Sequence, residues 1–178
     1  AQPFVVVGYH IPGVSHPDFR AYELLGDILG NGRSSRFYQR LVKQDKIASD
    51  AGAGAGFVGD KYPTLLFANA TVSKDASPEQ VEAALYDEID RLIDEGPTPD
   101  EMEKVKTLNT AAFIRGLRSN QGLAGQLARW EEQQGDYHKL FRYVDQIGAV
   151  TAEDVQRVAT AALRPSNRVV GILRKQAS

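Results

Sequence analysis

The sequence predicts an α+β domain in which helices cover one face of a mostly antiparallel sheet. Runs of strand length, rich in β-branched and aromatic residues, occur near the start, in the middle and at the end of the chain. Between them, apolar residues recur at helical spacing. With 42% apolar and 25% charged residues, the composition is that of one globular domain over residues 1–178.

The chain is expected to begin with a strand and a helix. Phe4–Tyr9 has the length and β-branched composition of a strand, and a Pro-Gly pair follows it. Ser15 or His16 then precedes Pro17 at a first-turn position, and apolar residues at helical spacing continue to Gly30. These signals predict a first helix that ends at the glycine.

A hinge follows that helix. The Asn31-Gly32 pair predicts a tight turn, after which Ser34 or Ser35 is expected to cap a second helix that runs to about Gln44. The apolar residues of the two helices are predicted to face the sheet, whereas Arg33 at the tip is predicted to stay accessible. Those apolar residues are Leu25, Ile28, Leu29, Phe37 and Leu41.

Two strands are predicted next, joined by a loop over Gly59–Pro63 and therefore antiparallel. The first, Ile47–Val58, contains alternating alanine and glycine at residues 51–56, and such small side chains predict the close approach of another backbone. Binding of a peptide strand at this sheet edge is the alternative. The glycines match no phosphate-binding pattern, which argues against a nucleotide site. The second strand is Leu65–Val72, with alternating apolar positions.

Several helices and a final strand complete the chain. Ser77 and Thr98 each precede a proline and are followed three residues later by glutamine or glutamate, the sequence of a capping box. The helix capped by Ser77 is predicted to end at about Glu95. The helix capped by Thr98 is predicted to bend near residue 116 or 122 and to stop no later than Gly135. The remaining predicted elements are a helix over Tyr137–Ile147, a helix capped by Thr151 that ends near Ala162, and a terminal strand, Val169–Leu173.

Composition excludes several classes of function. A net charge of −2 gives no basis for binding nucleic acid or an anionic membrane surface. The absence of cysteine excludes disulfides, thiolate zinc sites and a cysteine nucleophile. No apolar run approaches the length of about 20 residues that a membrane span requires. Because the chain opens abruptly on a strand, we expect an excised domain or a mature fragment.

The stretch Leu25–Leu41, LGDILGNGRSSRFYQRL, resembles the characteristic helix-turn-helix of the insulinase (pitrilysin) zinc metallopeptidases, relatives of the mitochondrial processing peptidase. The segments Pro99–Asn120 and Ala149–Ala159 resemble the same family, in the same order. The resemblance implies a single non-catalytic domain of a peptidase assembled from two such domains per half and two halves per chamber.

In that family an H-x-x-E-H motif on a helix holds the zinc. The three histidines of this chain, His10, His16 and His138, do not stand in that spacing, so we expect surface or capping roles for them. The resemblance therefore implies no catalytic, metal or cofactor residue in this chain and a zinc motif outside it.

The family also binds substrate carbonyls with an arginine and a tyrosine, in a pattern like L-R-x-x-x-x-L-x-Y. Alignment at Leu41 places Val42 and Ser49 at those two positions, so the pair is missing. Because the pair belongs to the half without metal, its absence implies the C-terminal domain of the metal-bearing half. An inactive subunit is the other interpretation.

The polar residues of the hinge are the candidate interface with another domain or partner: Arg33, Ser34, Ser35 and Arg36. Arginines beside a helix N-terminus can bind a carboxylate or phosphate. They can also bond back to carbonyls and acidic side chains left open at helix ends. If they face a partner, replacing Arg33 and Arg36 is expected to cost this domain little stability.

Two functions of different classes follow. The first is a domain that completes the peptide-binding chamber of a zinc metalloendopeptidase; the second is a structural or interaction subunit without peptidase activity. The implied partners are the preceding H-x-x-E-H domain of the same protein, a second copy or paired half, and a peptide substrate. A bacterial periplasmic or envelope location is expected, with the cytoplasm as the alternative.

Overall fold

Four antiparallel strands form one sheet in the order β2-β3-β1-β4, in a computed structural model that describes residues 2–57 and 59–174. The strands are β1 (Phe4–Ile11), β2 (Ala48–Phe57), β3 (Thr64–Val72) and β4 (Arg168–Leu173). The helices are α1 (Phe19–Gly30), a π-helix (Tyr38–Gln44), α2 (Pro78–Glu95), α3 (Pro99–Gly116), α4 (Asn120–Gln134), a 3-10 helix (Tyr137–Arg142), α5 (Tyr143–Ala149), α6 (Ala152–Ala162) and a 3-10 turn (Pro165–Asn167). The α+β class and the antiparallel sheet are thus confirmed. Val58, the last residue predicted for β2, lies outside the described residues.

The core lies between the helices and one face of the sheet. Val5 and Val7 of β1 and Leu66 of β3 are fully buried there, because alternate residues of a strand point to the same face. Helices α1, α2 and α6 all contact the central strands of the sheet. The five apolar residues predicted to face the sheet from the hinge helices are between 0% and 3% exposed.

Helix α1 lies unusually close to β2. A Cβ atom built on Gly30 would lie 1.7 Å from the backbone nitrogen of Ala53, and one built on Gly26 would lie 2.9 Å from the Cα atom of Gly54. Only glycine fits at either helical position. The prediction that the alanine and glycine residues of β2 admit another backbone is therefore confirmed, and that backbone belongs to α1.

Local start signals were reliable for three helices. Ser77, Thr98 and Thr151 each accept a hydrogen bond from the backbone N–H three residues later, and the side chain at that third position accepts one in return. These capping boxes satisfy backbone groups that a helix leaves open at its first turn.

Other boundaries differ from the prediction. Helix α1 begins at Phe19, because His16 Nδ1 accepts the N–H of Asp18 at 3.1 Å and holds the preceding residues in a turn. The long helix predicted after Thr98 is two helices, because Ser119 caps α4 and a Cβ on Gly122 would lie 2.2 Å from the carbonyl oxygen of Gly116.

The two remaining helical differences concern hydrogen-bond pattern. The second hinge helix is a π-helix over most of its length, and its end is marked by the N–H of Asp45 donating to the carbonyl of Arg40 at 2.9 Å. The helix predicted over Tyr137–Ile147 begins as a 3-10 helix, in which Asp136 caps the first turn, and continues as α5. Within the described residues, no helix is both long enough and apolar enough to cross a membrane.

The apolar core links elements from β1 to the end of α6 in one cluster. We therefore expect the 178-residue chain to unfold in one cooperative transition, because removing any one layer exposes the others to water. Circular dichroism and calorimetry check this: coincident transitions are expected, and two separated transitions would show that residues 1–178 do not form one unit.

Candidate functional site

The hinge between α1 and the π-helix is built around one turn. Gly32 has φ +79°, a conformation that glycine adopts most readily. The hydroxyl of Ser35 donates to the carbonyl of Gly32 at 2.7 Å, and the N–H of Ser35 donates to the same oxygen at 3.1 Å. The prediction that Ser34 or Ser35 caps the second helix is therefore wrong, because the hydroxyl of Ser35 closes the turn and that of Ser34 contacts Lys104.

Arg33 lies exposed at the tip of the hinge, as predicted. Its Nε donates to the hydroxyl of Tyr38 at 3.1 Å, and its guanidinium carbon lies 5.6 Å from the centroid of that ring. Ser34 is also exposed, and its hydroxyl contacts the ammonium group of Lys104. Arg33 and Ser34 thus remain open to a partner, with the arginine held on an aromatic ring.

Arg36 points the other way, into the domain. It is 7% exposed, and its Nε and Nη2 donate to the two carboxylate oxygens of Glu101 at 2.7 and 2.8 Å. Nη2 also donates to the carbonyl of Gly96 at 2.9 Å. Arg36 therefore bonds to an acidic side chain and an open helix-end carbonyl, the second of the two roles considered for it.

This geometry corrects the candidate interface. Ser35 is 2% exposed and Arg36 is 7% exposed, so two of the four candidate residues are buried and bonded inside the domain. For the same reason the expected cost of replacing Arg36 is now larger, because a buried paired cation is more costly to remove than an exposed one.

Glu101 joins the hinge to the start of α3. Besides binding Arg36, its carboxylate accepts the backbone N–H of Thr98 at 2.8 Å in the capping box. Burial alone would raise the pKa of Glu101, but the hydrogen bonds from Arg36 and Thr98 outweigh burial and hold the pKa below its ordinary value. The carboxylate of Glu101 is therefore ionised in the folded domain near neutral pH.

Another carboxylate, Glu88, lies close by on α2 and, unlike Glu101, is almost fully buried, at 1% exposed. Its oxygens lie 2.8 Å from Nη2 of Arg91 and 3.5 Å from Nη1 of Arg40. Arg40 also pairs with Asp45 at 2.5 Å. Arg36, Arg40 and Arg91 are therefore engaged in ion pairs within the domain, whereas the hydrogen bond that the described residues give the exposed Arg33 side chain goes to Tyr38.

The two positions aligned with the family's substrate-binding pair have different surroundings. Val42 is partly buried against the core, and Ser49 is exposed on β2, where its hydroxyl donates to the carbonyl of Thr71 at 3.4 Å. Neither side chain carries a cation or a phenol. The structure thus offers no local substitute for that pair at these two positions.

The three histidines lie apart. His10 is exposed on β1, His16 accepts the N–H of Asp18 at the start of α1, and Nδ1 of His138 lies 2.9 Å from a carboxylate oxygen of Asp136. In residues 2–57 and 59–174, no three His, Cys, Asp or Glu side chains are grouped in a way that would hold a metal ion.

Arg20, to which no sequence pattern gave a role, is buried beside a cavity of about 250 Å³. Its guanidinium lies 5.3 Å from the ring of Trp130 and 5.0 Å from that of Tyr143, and it donates to Glu23 at 2.5 Å. Burial raises the pKa of Glu23 although Arg20 opposes the change. The only signal in the sequence was an ion pair at i, i+3 on an otherwise apolar helix face.

Comparison with known proteins identifies relatives of this chain. Residues 1–109 match the model of the peptidase M16 inactive-domain family. The chain is 30% identical over 158 residues to the zinc protease PqqE of Helicobacter pylori, an alignment that covers 88% of this chain and 34% of that protein. It is 25% identical to an uncharacterized zinc protease of Mycobacterium leprae, with 89% and 35% coverage. The chain thus spans about a third of the length of these relatives.

Two solved structures of similar proteins superpose closely on this chain. An inactive peptidase domain from Bordetella parapertussis superposes with a TM-score of 0.88 at 25% identity, and the match covers 99% of this chain and 92% of that one. A protease from Helicobacter pylori gives a TM-score of 0.89 at 25% identity, over 98% of this chain and 41% of the other.

Proposed function

The chain belongs to the family of peptidase M16 inactive domains, and we propose that it is the C-terminal, non-catalytic domain of a zinc metalloendopeptidase. In this role it completes the chamber in which the peptide substrate binds, while an H-x-x-E-H motif on the preceding domain holds the zinc. The family match over residues 1–109 carries the proposal. The names of the zinc protease relatives, of which the chain spans about a third, support it.

The scattered histidines support placing the zinc outside this chain, because a catalytic zinc site needs three convergent protein ligands. Val42 and Ser49 support a place in the metal-bearing half, since the arginine and tyrosine that bind substrate in the other half are missing here. The enzyme then obtains that pair from a second copy or from a paired half. A periplasmic or envelope location stays a prediction, with the cytoplasm as the alternative.

The test compares the 178-residue chain with the longer protein that contains it. We expect the chain alone to bind no stoichiometric zinc and to leave a quenched-fluorescent peptide intact, because it lacks the ligands and the general base. The longer protein is expected to bind about one zinc per chain and to cleave the peptide in a chelator-sensitive manner.

Two results would contradict the proposal. Zinc bound stoichiometrically by the chain alone after mild chelation would place the metal site here. A longer protein without zinc and without cleavage would favour the alternative, a structural subunit.

We also propose that the exposed tip formed by Arg33 and Ser34 contacts the preceding domain or the opposite half of the chamber. Support comes from the accessibility of both residues and from the hydrogen bond that Arg33 donates to the hydroxyl of Tyr38, which orients the guanidinium before a partner arrives.

A further inference from the structure

Arg20 of α1 lies between two cavities. It lines the cavity of about 250 Å³ beneath α4 and a second one of about 430 Å³ beside α5, although only 8% of the residue is exposed. A charged side chain is buried to this extent chiefly when its hydrogen-bonding groups have partners. The partners of Arg20 therefore decide what the cavities can hold.

The bonds of Arg20 leave part of its guanidinium open. Among the described residues, Nη1 donates to Oε2 of Glu23 at 2.5 Å, Nε donates to Gln146 at 3.4 Å, and Nη2 donates to none. Nη2 is also not one of the described side-chain atoms that are sealed from solvent without a partner. This nitrogen therefore has two N–H groups available to a molecule in the adjoining space.

Glu23 offers an acceptor beside that donor. It lines the same 250 Å³ cavity, and its second oxygen, Oε1, accepts no hydrogen bond within residues 2–57 and 59–174. The pair differs in this from Arg36 and Glu101, where two parallel bonds use both carboxylate oxygens. A pair joined at one point leaves an N–H donor of a cation and an oxygen of an anion side by side.

The other charged pair at this cavity has its groups occupied. Both carboxylate oxygens of Asp60 accept hydrogen bonds, one from Nη2 of Arg129 at 2.9 Å and one from the amide of Gln133 at 2.5 Å. Asp60 and Arg129 thus compensate each other's charge. The open donor and acceptor described above come from Arg20 and Glu23.

Three aromatic side chains line the cavity next to the Arg20–Glu23 pair. The ring centroid of Tyr143 lies 4.7 Å from that of Phe113 and 6.0 Å from that of Trp130. The guanidinium carbon of Arg20 lies 5.0 Å from the centroid of Tyr143 and 5.3 Å from that of Trp130. The cavity thus joins a cation, an anion and an apolar wall within one small space.

We infer that this cavity binds a free α-amino acid with an apolar side chain. The carboxylate of the ligand accepts from Nη2 of Arg20, its ammonium group donates to Oε1 of Glu23, and its side chain contacts the aromatic wall. An α-amino acid carries both charges on one carbon atom, which suits a donor and an acceptor that stand side by side. A simple anion would be repelled by Glu23 and a simple cation by Arg20, so neither matches the pair as a zwitterion does.

The size of the cavity agrees with such a ligand. Its volume of about 250 Å³ is several times the share of roughly 30 Å³ that one water molecule takes in the liquid. It is smaller than the roughly 300–1,000 Å³ of sites for drug-sized molecules. The inference concerns residues of this chain alone and does not depend on the proposed function.

The fluorescence of Trp130 tests the inference, because Trp130 is the only tryptophan of the chain and lies in the cavity wall. L-phenylalanine is expected to change this emission saturably, with a Kd of about 1 mM or tighter for a ligand of its size. N-acetyl-L-phenylalanine lacks the ammonium group and L-phenylalaninamide lacks the carboxylate, so each is expected to bind about 10-fold more weakly or worse.

Glu23→Gln isolates the charge of the acceptor. It keeps the size of the side chain but removes the anion, so we expect it to weaken L-phenylalanine binding by about 10-fold or more and to abolish the preference over N-acetyl-L-phenylalanine. Glu103→Gln is the matched control, since Glu103 is exposed on α3 and does not line the cavity, and it is expected to bind like wild type. Circular dichroism establishes that both variants fold.

An emission that L-phenylalanine leaves unchanged up to about 10 mM, ten times the expected Kd, would overturn the inference and leave water as the occupant. So would equal binding of the three compounds, which would indicate apolar contact alone, or tighter binding of either derivative, which would indicate a simple anion or cation. Unaltered binding by folded Glu23→Gln would equally contradict it. If Glu23→Gln does not fold, the comparison of the three compounds on the wild-type chain still decides the matter.

Discussion

Gly30→Ala is expected to lower the free energy of unfolding by about 3 kcal/mol or more, or to prevent folding. The added methyl carbon would lie 1.7 Å from the backbone nitrogen of Ala53 and 2.5 Å from its Cα atom. Backbone atoms in a strand cannot rotate away as a flexible side chain can. Helix α1 and β2 must therefore separate, which opens the core between them.

Gly125→Ala is the matched control, because Gly125 lies within α4 and an added Cβ meets nothing within 4 Å. Alanine favours a helix over glycine by about 1 kcal/mol, so this change is expected to be neutral or stabilising. Urea denaturation of both variants gives the comparison. If Gly30→Ala were as stable as wild type, the close contact of α1 with β2 would not exist in solution.

Arg36→Ala is expected to lower the free energy of unfolding by about 3 kcal/mol. The change removes three hydrogen bonds, two to Glu101 and one to the carbonyl of Gly96, and leaves a partly buried carboxylate without its cation. Because Glu101 also caps α3, the start of that helix is expected to lose protection from hydrogen exchange.

Arg33→Ala is the control for Arg36→Ala, with an expected change of about 0.5 kcal/mol or less, since Arg33 is exposed. Equal losses in the two variants would show that Arg36 does not link the hinge to α3.

The pKa of Glu101 is lower in the folded domain than in the unfolded chain. Its contribution is therefore complete above the ordinary glutamate pKa of about 4.3 and is lost as the pH falls through the lower folded value, in wild type but not in Arg36→Ala.

Local patterns were sufficient for much of the fold. The capping boxes at Ser77, Thr98 and Thr151 could be recognised in the sequence because their donors and acceptors lie within four residues of one another. The alternation of alanine and glycine at residues 51–56 indicated close packing for a similar reason, since a side chain too small to fill a core leaves room for another backbone.

The tertiary structure decided what depends on partners distant in sequence. Arg33 and Arg36 are equivalent in the sequence, yet one is exposed and the other binds Glu101, which lies 65 residues away. Arg20 likewise gained its role from Trp130 and Tyr143, which come from later helices. A polar side chain has no periodic pattern that reveals its burial, because its position depends on which helix end or carboxylate the folded chain brings beside it.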